Sequence, residues 1–267
     1  MKQFAIGFIL GIGIALLAYR ARSLSRSGVV AASLVGGFVF GLGGLPWAVL
    51  LLVFFISSSG LSKLFARRKE VLDEKFSKGS RRDWEQVFAN GGLGTVLAIV
   101  LALSPTQNWV WAAFVGAMAA VNADTWATEI GVLNPQPPRL ITNGAAVERG
   151  TSGGVSLYGY LAVIGGAGLI GLSTLFFQSG VAWWVVPIAA LAGGLAGASF
   201  DSLLGATVQA IYYCPVCSKE TEKHPQHSCG AGTRFQHGWR WISNEVVNFA
   251  CSLTGAVVAV GVWLLFS

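Results

Sequence analysis

The stretch "WVWAAFVGAMAAVNADTWATEIG", residues 109–131, decides how the rest of the chain is read. Its first half is greasy enough to lie in a bilayer, where a spanning helix needs about 20 mostly apolar residues. Its second half carries Asn122, Asp124 and Glu129. An Asp inside a membrane helix costs about 2.5–3.5 kcal/mol, so acids at this place point to a site. Interfacial acids balanced by loop arginines are the plainer alternative.

Composition extends the membrane reading to the whole chain. Of 267 residues, 54% are hydrophobic and 11% charged, whereas a soluble domain carries about 25% charged residues. The expectation is an all-α, polytopic membrane helix bundle forming a single integral membrane domain over residues 1–267. About eight transmembrane helices are read, at 3–19, 28–43, 46–62, 86–104, 108–131, 153–177, 181–211 and 244–266. Polar connections fall at 20–27, 63–85, 132–152 and 212–243. The first helix runs straight into "RARSLSRSG" (20–28) with no small-residue cleavage site, unlike a removable signal peptide.

Charge sets the orientation. With eight helices, the four long connections lie on one side, and they hold every Lys and Arg of the 18 except Lys2. The positive-inside rule then places them in the cytoplasm, with both termini outside. Segment 63–85 is the basic cytoplasmic loop. None of the 12 acids faces outside. A transporter of a lipid phosphate or small anion would usually place polar groups near mid-membrane, with access from both sides. One-sided chemistry favours an enzyme whose active site faces the cytoplasm and takes a water-soluble co-substrate. The net charge of +6 comes with no basic groove interleaved with aromatics, which argues against nucleic acid.

Several constellations carry chemistry. Asp124 and Glu129 stand five residues apart, about 140° around a regular helix. Either one face alone lines a site, or the helix breaks near Asp124. Asn122, Thr125 and Glu129 share one face; Asp124, Thr128 and Gly131 share another. Asp201 lies in "GGLAGASFDSLLGATVQA" (193–210). Gly194, Gly197, Asp201 and Gly205 form a stripe of small residues that would carry Asp201 into a helix–helix crevice. A buried structural Asp would fit the same stripe. Asp124 and Asp201 together suit Mg²⁺, which takes one or two carboxylates and leaves its other positions to phosphates and water.

"ERGTSGGVSLYG" (148–159) sets Gly150, Gly153 and Gly154 among Thr151, Ser152 and Ser156 just before a helix. Backbone N–H groups at such a start attract phosphate oxygens, and Arg149 adds positive charge. No Gly-Lys-Ser/Thr follows, so this is not a Walker loop. In the basic loop, Lys78 and Arg82 with their neighbours could grip a triphosphate, although the positive-inside rule alone would place cations there. Gln86 and Asn90 put two amides on one face at a helix start; Asn244 and Asn248 repeat the pattern.

"CPVCSKETEKHPQHSCG" (214–230) contains Cys214, Cys217, His227 and Cys229, four soft ligands suited to a closed tetrahedral zinc site. Such a site would rigidify the 212–243 loop and would be structural. His224 could replace His227, and reduced thiols without metal are the alternative.

"ANGG", "NADTWATEIG", "PPRLIT", "GTSGGVSLYG", "FDSLLGATVQ", "CPVC…HSCG" and "GWRWISNEVVN" together resemble an integral-membrane family. It includes transmembrane protein 19 and the chloroplast phytyl-phosphate kinase, and the likeness covers nearly the whole chain. The family's Ser-Asn-Asp reads Ser243-Asn244-Glu245 here. The resemblance implies transfer of phosphate from CTP to a prenyl monophosphate, giving the diphosphate. Asp124 and Asp201 would hold Mg²⁺, with Glu129 and Arg149 beside them. Arg149 and residues 150–154 would cradle the nucleotide. Lys78, Arg82, Gln86, Asn90, Asn122, Ser156, Gln209, Asn244 and Asn248 would bind its phosphates, ribose or base. A CTP-dependent cytidylyltransferase acting on a lipid phosphate is the nearest alternative. A homodimer is compatible with all of these.

Overall fold

The computed structural model describes residues 2–65, 81–177 and 180–267. Seven helices are seen among them: α1 (Lys2–Arg20), α2 (Arg26–Leu64), α3 (Trp84–Leu103), α4 (Trp109–Gly131), α5 (Leu157–Ser173), α6 (Val185–Thr207) and α7 (Asn244–Phe266). Six of these, all but α4, are long and apolar enough to cross a membrane, α5 together with the 3₁₀ turn that follows it.

The 39 residues of α2 are not one rod. Gly44 sits at φ 76°, ψ −163°, and Pro46 follows it. Glycine alone adopts such a dihedral without strain, and the chain reverses there. Phe55, near the far end of α2, packs against the small cluster that contains Leu24, just before that helix, and both line one cavity. In a straight helix these two residues would stand about 46 Å apart. Residues 26–43 and 45–64 are therefore two antiparallel arms. The first arm lies against α1 along glycines: a Cβ on Gly7 would strike the Gly41 backbone, and one on Gly11 the Gly37 backbone.

α4 is the enclosed centre. Residues Ala112–Ala123 are all buried, because α2, α3, α5, α6 and α7 surround it. Its side chains meet protein on every side, so it need not be as apolar as a lipid-facing helix. Close approach is permitted at Gly116 of α4, Gly193 of α6 and Gly255 of α7. A Cβ on any of the three would run into backbone of a neighbouring helix.

The all-α expectation is corrected by two small sheets. β1 (Arg139–Leu140) pairs antiparallel with β2 (Gly154–Val155). β3 (Ile211–Cys214), β4 (Lys219–Thr221) and β5 (Arg234–His237) form an antiparallel sheet in the order β4-β3-β5. The helix expected to start at 153 therefore starts at Leu157, and the one expected to reach 211 stops at Thr207. Ile211, read as the end of that helix, opens β3 instead, and Tyr212–Cys214, read as part of the polar connection, continue the strand; a short apolar run has no distinguishing period.

Candidate functional site

One end of the bundle gathers the chain's chemistry. There the second arm of α2 and helices α4 and α6 finish, and α3, α5 and α7 begin. A cavity of about 490 Å³ opens between them. It is lined by Asp124, Glu129, Asp201, Arg82, Gln86, Asn90, Asn244 and Asn248, and by the whole segment Arg149–Ser156. These residues come from four helices and two connecting segments, so the fold joins what the sequence scatters.

α6 delivers Asp201 as its small-residue stripe requires. A Cβ on Gly194 would meet Ala167 of α5, one on Gly197 would meet Ala120 and Cys251, and one on Gly205 would meet Ser152 and Gly153. Asp201 is half-buried. Its Oδ2 is fully enclosed and has no hydrogen-bond partner among the described residues. Asp124 and Glu222 act electrostatically on the same carboxylate. A buried carboxylate oxygen left unsatisfied is expensive, and two like charges nearby make it more so. Carboxylates so arranged could hold a divalent cation. Glu222 was missed by sequence reasoning: it lies in the Cys/His segment, far along the chain. Gln209 Nε2 donates to its Oε1 at 2.8 Å.

α4 runs unbroken through Gly131, so the expected alternative of a break near Asp124 does not arise. Both acids still reach the cavity, because it wraps around the end of the helix. Asp124, Thr128 and Gly131 form one lining face, and Thr125 lines the cavity beside it, on the side toward Glu129. Glu129 stands to the side, where Ser62 Oγ donates to its Oε1 at 2.7 Å. Arg82 is its electrostatic partner. Burial pulls the Arg82 guanidinium down to about 10, with Glu129 opposing the shift, so it stays charged at neutral pH. The chain fixes Arg82 in place: Ser25 N–H donates to its carbonyl at 2.9 Å and its own N–H to Ser23 O at 3.0 Å.

The glycine-rich segment is held as a tight loop. Gly150 and Gly153 both have φ +78°, in the region that glycine enters without penalty. A Cβ on Gly153 would fall onto the Ala206 backbone. Ser152 Oγ donates to Gln209 Oε1 at 3.1 Å. Ser156 caps α5, accepting from Gly159 N–H at 3.1 Å. Arg149 lines the cavity, but its Nη2 donates to the carbonyls of Asn134 (2.7 Å) and Pro135 (3.0 Å). It braces the loop as well as charging it.

Four expectations need correction or limits. Asn122 does not line the cavity: Ser57 and Ser58 donate to its Oδ1, and its Nδ2 donates to Gly166 O at 2.8 Å. It ties α4 to α2 and α5, as a buried amide must be tied. Gln209 is 1% exposed and bridges Ser152 to Glu222 behind the cavity wall. Gln86 lines the cavity, yet its Oε1 accepts from Asp83 N–H at 3.3 Å in a capping box that starts α3. Lys78 and most of the basic loop lie outside the described residues.

The Cys/His segment folds as the β4-β3-β5 sheet. The ligand atoms of Cys214, Cys217, His227 and Cys229 all lie within 4.8 Å of one another. Cys214 Sγ and Cys229 Sγ are 3.6 Å apart, Cys217 Sγ and His227 Nδ1 also 3.6 Å, and His227 Nδ1 and Cys229 Sγ 3.3 Å. Arms of about 2.0–2.3 Å to a tetrahedral ion set ligand atoms about 3.3–3.8 Å apart, so this group could hold a metal such as zinc. His224 does not join it: its ring stacks on Tyr212, centroids 4.4 Å apart.

Fold and site define a multi-pass membrane protein with an acidic, glycine-looped cavity at one end. The chain belongs to the family described as Integral membrane protein DUF92, which it matches over residues 9–256. It is 37% identical to Protein PGR of Arabidopsis thaliana, over 94% of this chain and 93% of that one. It is 33% identical to an uncharacterized membrane protein of Methanocaldococcus jannaschii, over 72% of this chain and 78% of that one. It is 25% identical to Protein VTE6, chloroplastic, of Arabidopsis thaliana, over 89% of this chain and 64% of that one. No solved structure matches.

Proposed function

We propose that the protein transfers the γ-phosphoryl group of a nucleoside triphosphate, CTP, to a prenyl monophosphate such as a phytyl-like phosphate, making the prenyl diphosphate. The observation that carries this reading is the meeting of Asp124, Asp201 and the 150–154 loop around one cavity large enough for a nucleotide. The family resemblance carried by the sequence motifs supports the substrate class. The bundle crosses the membrane eight times, with α2 crossing twice and α4 at the centre. The cavity opens to the cytoplasm, and the arginines gathered at that end, such as Arg20, Arg26, Arg81 and Arg149, support that side.

Phosphoryl transfer needs positioning and charge more than covalent help. An oxygen of the lipid phosphate attacks the γ-phosphorus, the bond to the β–γ bridging oxygen breaks, and the nucleoside diphosphate leaves. The attacking monoester is already anionic, so no general base is required. Asp124 and Asp201 would hold Mg²⁺, which supplies charge neutralisation at the transferring group. The 150–154 backbone, braced by Arg149, holds nucleotide phosphates. Arg82 receives the lipid phosphate, and Asn90, Asn244 and Asn248 offer amides to phosphate, ribose or base. Glu129 keeps Arg82 charged and placed.

The test is nucleotide turnover by purified protein with Mg²⁺ and each nucleoside triphosphate in turn. Nucleoside diphosphate release that requires both CTP and a prenyl monophosphate is expected. Flux of lipid phosphate across sealed vesicles with no nucleotide consumed would overturn the proposal in favour of transport.

The Cys₃His cluster is structural zinc in the same proposal, because all four positions are filled by protein. Elemental analysis should find about one zinc per chain. Cys214→Ser should lose it and loosen the β4-β3-β5 sheet, and activity should fall by about tenfold as Glu222 is displaced. Metal-free wild-type protein with that sheet intact would rule the site out.

A further inference from the structure

A second cavity, about 220 Å³, lies between α1, both arms of α2 and α3. Its walls are apolar side chains except at one end. That end is formed by Arg82, Gln86 and Asn90, which also line the polar cavity. The two spaces therefore meet at three polar side chains. The Arg82 guanidinium stands over the rings of Phe54 (5.2 Å) and Phe55 (5.6 Å), so a cation sits where the apolar walls stop. Away from that threshold, Leu10, Ile14 and Leu45 on the rim are exposed. In a membrane these residues face acyl chains, so the cavity opens sideways to lipid.

We infer that this second cavity holds the apolar tail of the lipid monophosphate, entering between α1 and the second arm of α2, with its phosphate on Arg82. The inference rests on the kinase reading for its ligand. The occupant follows from the arrangement: an apolar slot, a fixed cation at its mouth, and a polar reaction space beyond. An ordinary two-chain phospholipid would have to bring a second acyl chain and a glycerol through the same threshold. Leu45 and Phe55, ten residues apart on one arm, mark the far end and the threshold, about 15 Å apart along the helix. An extended chain advances about 1.2 Å per bond, so the slot takes about a dozen chain carbons, or three isoprene units. A longer tail would continue past Leu45 into the bilayer.

The test is photolabelling in nanodiscs of phosphatidylcholine, using farnesyl monophosphate with a diazirine on its last isoprene unit. Mass spectrometry should place the label on α1 and α2 near Leu10, Phe40, Leu45 and Ala48. Ala48→Phe, which fills the far end, should cut labelling by about tenfold, because about two methylenes of tail burial are lost. Unlabelled farnesyl monophosphate should compete, and added phosphatidylcholine should not. Label on α5, α6 or α7, labelling unchanged in a folded Ala48→Phe protein, or equal competition by phosphatidylcholine would each overturn the inference. Labelling needs no turnover, so the two readings fail separately. Label in the slot without product from any nucleotide removes the kinase reading alone; product with label elsewhere removes the slot alone.

Discussion

Asp201→Asn is expected to lower kcat/KM for nucleotide-dependent phosphoryl transfer by about three orders of magnitude, the scale of a lost charge-stabilising group in a water-poor site. The side chain keeps its size and most of its hydrogen bonding and loses only its charge. Asp124 and Glu222 act on that carboxylate electrostatically, so removing one negative charge relieves repulsion among them. The variant should therefore melt no lower than the wild type, which separates a lost cation site from a lost fold. Asp124→Asn should behave alike. Glu129→Gln should be milder, about tenfold, because an unbroken α4 turns Glu129 away from Asp124 and toward Ser62 and Arg82. Wild-type rates in Asp201→Asn, or a defect in Glu129→Gln as deep as in Asp124→Asn, would contradict this assignment.

Gly153→Ala is expected to raise the KM for nucleotide by about a hundredfold while leaving the helices formed. Two effects act together. The residue sits at φ +78°, where a non-glycine residue costs about 1–2 kcal/mol. The new Cβ would also fall on the N and Cα of Ala206, which cannot swing aside as a side chain would. About 3 kcal/mol in all corresponds to a factor of about a hundred in the population of the seated loop. Ser152 would be pulled from Gln209, and Gln209 supports Glu222, so the damage passes to the acidic wall. Gly144→Ala is the control: it shares a positive φ of +71°, but a Cβ there meets nothing within 4 Å. Equal nucleotide KM in the two variants would show that backbone strain, and not the contact with α6, sets the effect.

Much of the site was legible because membrane sequences expose their exceptions. Acids at the ends of apolar runs stand out, and Asp124, Glu129 and Asp201 were found that way. The stripe of Gly194, Gly197 and Gly205 showed which way Asp201 points, since small residues lie where helices touch. The break at Gly44 was legible as a short gap between two apolar runs around a Gly-Gly-Leu-Pro turn. What sequence could not show was three-dimensional adjacency between distant segments. Glu222 belongs to a soluble-looking ribbon, and nothing in its neighbourhood ties it to α6. Asn122 looked like a ligand-binding amide because its partners, two serines on α2 and a backbone carbonyl on α5, are remote in the chain. Strand β3 was hidden because its short apolar run follows closely on a helix, and β4 and β5 because they are three and four mostly polar residues long. The slot along α2 needed the fold outright, since its apolar walls look in sequence like any lipid-facing helix.

The most direct measurement of the central claim follows the label from [γ-³²P]CTP in purified protein with Mg²⁺ and farnesyl monophosphate. The account predicts label in an organic-soluble prenyl diphosphate, in amounts equal to the CDP released, and its loss in Asp201→Asn. Label recovered instead as pyrophosphate, with cytidine in the lipid, or label left in CTP throughout, would contradict it.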